Sequence, residues 1–295
     1  MKEQPELIKT SCGYYTYRPL PDQAELNRYY AEKYYQQGLG SYSVTYAAEE
    51  KRYFQLKARL IYRKTAQILD LAKHRNMLDV GCGEGWLLNE FHQHGHTVKG
   101  LDFSRHGIAS FHPHLAPFFE QGNLYGLLDG EIKDQRQYDV IAIANVVEHV
   151  VDPMGLMGDI ARLMGERSVL VLVAPNDFSR LHEHLLAEKH IQRQFWLTYP
   201  DHLSYFNRES MIRMLNAKGL DVLAVVADNP IDLNLMNANT NYIHDPSKGK
   251  ETHYFRCRQD LFLESISPDK LLRLYEILGD MGVGRDLTYY CKRKP

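Results

Sequence analysis

The chain has 295 residues, which is long enough for a substantial core in one elaborated domain or in one domain with smaller additions. Its 35 Lys and Arg residues against 37 Asp and Glu residues give a net charge of −2, so no basic field indicates nucleic acid as a partner. No apolar run approaches a membrane span, and the four cysteines are scattered without a C-x-x-C pair, so we expect a cytoplasmic protein with neither a disulfide framework nor a cysteine zinc site.

The first segment, residues 1–75, is rich in tyrosine, and its periodicity predicts helices over 22–36 and 47–71. A short buried strand follows and breaks directly into a turn that carries Gly81, Gly83 and Gly85. Glycines at alternate positions let the backbone approach a ligand closely and adopt dihedral angles closed to other residues. This turn is therefore the place where an α/β sheet holds a nucleotide-like cofactor.

The next predicted strand ends in Asp102, 19 residues beyond Gly83, where a carboxylate can accept hydrogen bonds from both hydroxyls of a ribose. A dinucleotide is disfavoured, because the last glycine of a G-x-G-x-x-G fingerprint would fall at Trp86. Asp79 at the strand end would also repel a pyrophosphate, whereas it suits an ammonium and a sulfonium group.

Apolar periodicity predicts further strands alternating with helices, which indicates a mostly parallel sheet. Asn207 is expected to cap the last of these helices at its start and Gly219 at its end. The predicted strands lie near 76–80, 97–102, 116–120, 138–144, 168–174, 221–227 and 286–291, and the predicted helices near 86–94, 105–110, 156–164 and 208–218.

The pattern Asp79-x-Gly81-x-Gly83-x-Gly85 followed by Asp102 resembles the class I S-adenosylmethionine-dependent methyltransferases. Residues 138–153 and 168–175 resemble the fourth and fifth strands of that family. Residues 202–220 are similar to the segment before the sixth strand in the branch related to ubiquinone-type and polysaccharide or sugar methyltransferases. The resemblance covers residues 75–228. It implies an α/β, doubly wound, Rossmann-like sheet of seven mostly parallel strands whose last strand is antiparallel, with S-adenosyl-L-methionine as cofactor and S-adenosyl-L-homocysteine as product.

This resemblance divides the chain into four parts: an N-terminal Tyr-rich helical cap (1–75), a cofactor-binding core (76–228), an α-rich acceptor-side insertion (229–285) and a final core strand (286–295). Many relatives in this branch carry a paired-cysteine zinc module before the core. Since those cysteine pairs are missing here, we interpret the first part as a metal-free cap whose tyrosines partly cover the cofactor. The alternative, that the tyrosines only pack helices against the sheet, stays open because aromatic side chains bury area in any context.

The resemblance also implies cofactor-binding residues. Asp79, Gly81, Cys82 and Gly83 would surround the methionine part, and Asp102 would hold the ribose. The remaining positions would lie at the adenine or line the cofactor, namely Phe103 by stacking, Asn123 and Leu124 at the adenine edge, and Asn145 and Val146 after the fourth strand. Cys82 is interpreted as a small residue in a tight turn and not as a nucleophile.

Transfer to a hydroxyl group calls for a base, and histidine titrates near neutral pH. The two candidates are His149, which follows the fourth strand, and His202, which lies in a long connection on the acceptor side. For each histidine, a purely structural hydrogen-bonding role remains the alternative. No metal site is predicted, because the alternate spacing of His92, His94 and His96 does not place three imidazoles on one helical face.

We therefore predict methyl transfer to an oxygen of a small polar acceptor, such as a sugar, a nucleotide-sugar or a polysaccharide precursor. Amides, aromatics and arginines in the insertion suit an acceptor bearing sugar or phosphate groups. Two alternatives stay open: a catalytically silent binding subunit that retains the cofactor motif, and a nicotinamide-dependent oxidoreductase. The sequence does not give the oligomeric state.

Overall fold

The computed structural model describes residues 5–21 and 45–294. The strands in chain order are β1 (Glu6–Lys9), β2 (Tyr15–Arg18), β3 (Asn76–Val80), β4 (Thr97–Asp102), β5 (Phe119–Gln121), β6 (Tyr138–Ala144), β7 (Met164–Pro175), β8 (Ser204–Tyr205), β9 (Leu220–Ala227) and β10 (Asp286–Arg293). The α-helices are α1 (Ala48–Ile68), α2 (Trp86–Gln93), α3 (His106–Phe111), α4 (Leu124–Lys133), α5 (Pro153–Leu163), α6 (Arg180–Ala187), α7 (Arg208–Ala217), α8 (Gly249–Ile266) and α9 (Pro268–Met281).

The main sheet has seven strands in the order β5-β4-β3-β6-β7-β10-β9. Strands β3 to β7 are parallel, whereas β10 runs antiparallel to both β7 and β9. The inner strands are apolar along most of their length because helices cover both faces of the sheet. The predicted fold class is confirmed. In such a sheet, ligands bind at the carboxyl ends of the parallel strands, where the strand order reverses between β3 and β6.

A second sheet of three strands, β1-β2-β8, was not predicted from the sequence. Tyr15 and Thr16 of β2 pair with Tyr205 and Ser204 of β8, and the Thr16 hydroxyl donates to the Leu203 carbonyl at 2.9 Å. The N-terminal hairpin therefore docks on the segment that follows His202. The predicted helix 22–36 and the tyrosines within it lie outside the described residues, whereas the predicted helix 47–71 is α1.

The helix caps near the end of the core are confirmed. Asn207 accepts a hydrogen bond from the Ser210 N–H at 2.9 Å before α7, and Gly219 follows the helix with a φ of +72°. Helix α4 was missed because Gly126 and Gly130 interrupt its helical pattern. Helix α6 was missed as well. The predicted strand 116–120 begins later than expected, since the 3-10 helix Pro113–Phe118 precedes β5.

The insertion between β9 and β10 forms two 3-10 helices, Ile231–Met236 and Pro246–Lys248, and then a hairpin of α8 and α9. Gly279 lets α9 lie close to the sheet, because a Cβ there would be 2.3 Å from the Val225 carbonyl oxygen. Arg59 of α1 pairs with Glu264 of α8 at 2.7 Å. Over residues 5–21 and 45–294, no helix combines the length and apolar content needed to cross a bilayer.

Candidate functional site

The glycine turn after β3 lies at the carboxyl edge of the sheet, in a conformation that a side chain would obstruct. Gly81, Gly83 and Gly85 all have positive φ angles, of +74°, +53° and +81°. A Cβ at Gly81 would lie 2.3 Å from Cγ2 of Val146, the second residue after β6. The two predicted cofactor segments, after β3 and after β6, are therefore in direct contact.

Asp102 at the end of β4 holds the turn from the other side. Its Oδ2 accepts the Gly83 N–H at 2.9 Å, and its Oδ1 accepts the Ser104 N–H at 2.8 Å. Burial raises the pKa of Asp102 above its usual range, although these backbone donors oppose the shift. A carboxylate has about four acceptor positions, so hydroxyl groups can still be bound there.

Asp79 and Cys82 flank the turn and are buried. Burial and then the charge of Asp102 raise the pKa of Asp79 to about 7. Burial also raises the pKa of the Cys82 thiol well above its usual value, so this residue is not an activated nucleophile. The structure therefore agrees with Cys82 as a packing residue of the turn.

The other predicted cofactor residues surround the same edge. Phe103, next to Asp102, is 46% exposed. Asn123 caps α4 by accepting the Gly126 N–H at 3.3 Å, and Leu124 is the first residue of that helix. Asn145 has a positive φ of +54°, which turns the chain sharply at the end of β6. All four lie at the carboxyl ends of β4, β5 and β6.

Among the described residues of the N-terminal segment, Tyr46 reaches the glycine turn. The Tyr46 hydroxyl donates to Glu84 Oε1 at 2.7 Å, and the Trp86 indole N–H donates to Glu84 Oε2 at 2.6 Å. Glu84 is itself part of the turn. This contact is compatible with a cap over the cofactor, while the aromatic contacts of Tyr15 and Tyr17 lie in the hairpin region.

The two candidate bases, His149 and His202, lie side by side although they come from distant segments. Their ring centroids are 4.8 Å apart and the rings are nearly perpendicular. His149 Nδ1 is 2.7 Å from the Asp201 carbonyl oxygen. Because a carbonyl only accepts, Nδ1 carries the proton, and Nε2 is the ring atom 3.7 Å from Glu148 Oε1.

This environment keeps both imidazoles neutral. Burial lowers the pKa of His149 even though the Asp201 carboxylate opposes the shift. Burial, and then the charges of His149 and Arg285, lower the pKa of His202 to about 3. Glu148 is 1% exposed, and burial raises the pKa of its carboxyl group well above the usual range.

A set of buried charged residues lies near these histidines, and the sequence analysis pointed only to its arginine and aromatic members, as part of the insertion. Arg285 Nη1 is 3.1 Å from Asp177 Oδ1 and 3.9 Å from Asp232 Oδ2. His182 donates to Asp232 at 2.9 Å, and the Tyr242 hydroxyl also donates to that carboxylate. Burial opposes ionisation, yet the His182 hydrogen bond and the Arg285 charge lower the pKa of Asp232 to about 2, so this carboxylate is ionised.

The feature of the sequence that could have identified these residues is their position next to the ends of predicted strands. Asp177 closely follows β7 and Asp228 directly follows β9, while Arg285 precedes β10, which starts at the same edge. Lys57 of α1 lies 3.6 Å from Asp228 Oδ2 and 3.5 Å from Asp286 Oδ2. Because acids and bases alternate here, hydroxyl and amine groups of a ligand would find both donors and acceptors.

The chain is similar in sequence to known methyltransferases. A family model described as a methyltransferase domain matches residues 49–225. A ubiquinone biosynthesis O-methyltransferase of Rhodopseudomonas palustris (strain TIE-1) is 28% identical over 115 residues, which cover 39% of this chain and 46% of the relative. The protein of the same name from Coxiella burnetii (strain Dugway 5J108-111) is 36% identical over 95 residues, covering 31% and 40%.

The chain thus spans less than half the length of these relatives. Among solved structures, a SAM-dependent methyltransferase from Archaeoglobus fulgidus is 16% identical with a TM-score of 0.49, and the match covers 81% of this chain and 94% of that one.

Proposed function

The chain belongs to the class I S-adenosylmethionine-dependent methyltransferases, and on that premise we propose that it transfers the sulfonium methyl group to an oxygen of a small polar acceptor. The proposal rests on one observation: the glycine turn and the pair of histidines are connected through the segment that follows β6. Val146 meets Gly81 of the glycine turn, and the same segment continues into His149, which meets His202. A methyl donor held by the turn would therefore face the two imidazoles.

The cofactor would be held by the residues that the family resemblance indicates. Asp102 would accept the ribose hydroxyls, and Asp79 would face the cationic methionine part. The others would line the adenine and the methionine chain, namely Gly81, Cys82, Gly83, Phe103, Asn123, Leu124, Asn145 and Val146.

Methyl transfer from a sulfonium is an in-line displacement, so the protein contributes mainly by positioning the reactants. A near-attack arrangement can supply about 7–11 kcal/mol of the barrier. We propose His149 and His202 as the catalytic residues. Each imidazole is neutral, so one ring nitrogen has a free lone pair that can accept a hydrogen bond from the acceptor hydroxyl.

An oxygen acceptor is favoured over a nucleobase amine. Amino methylation of adenine usually goes with a Pro-Pro-aromatic motif after the fourth strand of the core. This chain has the sequence Asn-Val-Val-Glu at that place, in residues 145–148. The two relatives named above are O-methyltransferases by name.

We propose a sugar, a nucleotide-sugar or a polysaccharide precursor as the acceptor. The Arg285 guanidinium, which is partly exposed and is held by the buried Asp177 and Asp232 carboxylates, would offer hydrogen-bond donors to the hydroxyl groups of a sugar.

The test is a transfer assay with the full chain, S-adenosylmethionine carrying a labelled methyl group, and a panel of nucleotide-sugars and phosphorylated saccharides. We expect label in at least one sugar, attached through oxygen as judged by mass spectrometry. Label on nitrogen, or on no member of the panel while a phenolic control is methylated, would contradict the proposed acceptor. Asp177→Asn should raise the KM for the acceptor more than the KM for the cofactor. Asp129→Asn, which changes an exposed residue, should leave both KM values unchanged.

A further inference from the structure

The hairpin of α8 and α9 carries large apolar side chains on its solvent side. Six of them are 41–63% exposed, and they form one helical stripe on each helix: Phe255, Phe262 and Ile266 on α8, and Leu274, Ile277 and Met281 on α9. We propose that this surface, called the hairpin face below, binds the hairpin face of a second copy of the chain in a two-fold symmetric dimer. The hairpin face lies outside the residues assigned to the cofactor and the acceptor, so it does not depend on the proposed function.

Other residues of both helices form the contacts within the chain. On α9, Leu272 and Tyr275 are buried against the main sheet, which places the stripe 274–281 on the opposite side of the helix. On α8, Cys257 and Asp260 are buried, and the Tyr275 hydroxyl donates to Asp260 Oδ1 at 2.6 Å. The two helices are thus packed through other positions, and the stripes are not needed for the hairpin itself.

The apolar area is sufficient for a stable interface. Since a large side chain presents about 200 Å² when fully exposed, six side chains at 41–63% exposure present roughly 600 Å² per copy. The largest apolar patch on a typical monomer is about 300–600 Å², so the hairpin face is at the upper limit for a surface left in water. Two hairpin faces with their polar rims would bury about 1,200–2,000 Å², which is the usual range of specific interfaces.

The charges beside the α9 stripe are complementary to themselves. Arg273 and Asp280 are exposed and lie two turns apart on the same side of the helix. A two-fold axis near Ile277 makes the two α9 helices antiparallel, so Arg273 of each copy would face Asp280 of the other. Arg273 uses Nη1 to bond Glu276 at 3.0 Å, and Asp280 has no ion pair among the residues that the structure describes. A parallel arrangement would instead oppose arginine to arginine.

The neighbouring edge of the sheet is unsuited to association through strands. Strand β9 ends the main sheet, and Leu223 forms a bulge there, since Val222 pairs with Cys291 and Ala224 with Tyr290. Bulges bend edge strands and hinder pairing with another chain. The helices are therefore the surface through which a second copy would bind.

A membrane surface fits the hairpin face less well than a second copy does. Amphipathic helices that bind anionic lipids carry an excess of Lys and Arg beside their apolar face. Here both signs are interspersed in nearly equal number among the exposed charged residues of the hairpin, which are Lys250, Glu251, Arg258, Asp269, Lys270, Arg273 and Asp280.

The test is sedimentation velocity of the full chain over a concentration series. We expect the mass of two chains at high concentration and of one chain on dilution. Ile277→Asp and Phe262→Asp place a charge in the hairpin face and should each raise the Kd of the dimer at least about tenfold. The matched control is Phe118→Asp, which changes a 38% exposed phenylalanine beside β5, at the opposite edge of the sheet, and should dimerise as the wild type does.

A charge exchange tests the antiparallel arrangement. Arg273→Glu should weaken the dimer, because glutamate would face Asp280, and adding Asp280→Arg should restore it. Far-ultraviolet circular dichroism on every variant shows that the fold persists. A chain that stays monomeric at every concentration overturns the proposal and leaves residues 22–44 or a different protein as the occupant. A dimer that Ile277→Asp and Phe262→Asp weaken no more than Phe118→Asp does, or a charge exchange without recovery, would also overturn it.

Discussion

At Asp79, a carboxyl group that would face a cationic cofactor is about half protonated at neutral pH, because burial and the charge of Asp102 raise its pKa to about 7. Only the ionised form attracts the sulfonium and ammonium groups of S-adenosylmethionine. At a pH below the pKa of Asp79, its carboxyl group is mostly protonated and must lose this proton when the cofactor binds. We therefore expect cofactor affinity to rise between pH 6 and pH 8, by at most about tenfold per pH unit, in calorimetric titrations.

Asp79→Asn provides the control for this pH dependence, since an amide of the same shape does not titrate. The variant should bind S-adenosylmethionine more weakly at pH 8 and should lose most of the slope between pH 6 and pH 8. An affinity of the wild type that falls as the pH rises, or an equal slope in the variant, would show that Asp79 does not face the cofactor.

At the scale of elements, the turn after β3 depends on the missing side chain of Gly81. A Cβ there meets Val146 at 2.3 Å, and the φ of +74° disfavours any other residue. Gly81→Ala should therefore lower the unfolding free energy by about 1–2 kcal/mol and weaken cofactor binding. The denaturant midpoint and a calorimetric titration measure the two effects.

Gly126→Ala is the matched control, because a Cβ at that helical position meets no atom within 4 Å. It should leave cofactor binding unchanged and raise the unfolding free energy by roughly 0.5–1 kcal/mol. If Gly81→Ala behaved in the same way, the close contact between the turn and the segment after β6 would not exist.

The core elements could be predicted because each is a local pattern. Strand β3, its glycine turn and Asp102 lie within a short stretch, and Asn207 marks the start of α7. The pairing of β2 with β8 could not be predicted, since it joins two short strands from opposite halves of the chain. For the same reason, the sequence suggested His149 and His202 separately but gave no sign of their contact.

At the scale of the whole molecule, α1 is joined to the far end of the sheet through buried charges. Lys57 lies within 3.6 Å of Asp228 and Asp286, whose strands are adjacent. Lys57→Met would leave these carboxylates without that cation and should cost about 1.5–3 kcal/mol of unfolding free energy at pH 8, a range that allows for the partial exposure of Lys57. Lys51→Met, on the exposed face of α1, should cost much less.

The loss in Lys57→Met should become smaller as the pH falls below 6. Burial and the charge of Asp286 raise the pKa of Asp228 to about 6 in the native protein, so protonation at lower pH removes the uncompensated charge. Urea unfolding at pH 5 and pH 8 measures the difference. A loss that grows toward acid pH would contradict this role of Lys57.

The most direct test of the account is a calorimetric titration of the full chain with S-adenosylmethionine and, separately, with NADH. We predict saturable binding of one S-adenosylmethionine per chain and none of NADH. In Asp102→Ala, the binding free energy should be weaker by about 1–3 kcal/mol, since a charged hydrogen-bond acceptor for the ribose is lost. An absence of S-adenosylmethionine binding, preferential binding of NADH, or unchanged affinity in Asp102→Ala would contradict the assignment of the glycine turn as the methyl-donor site.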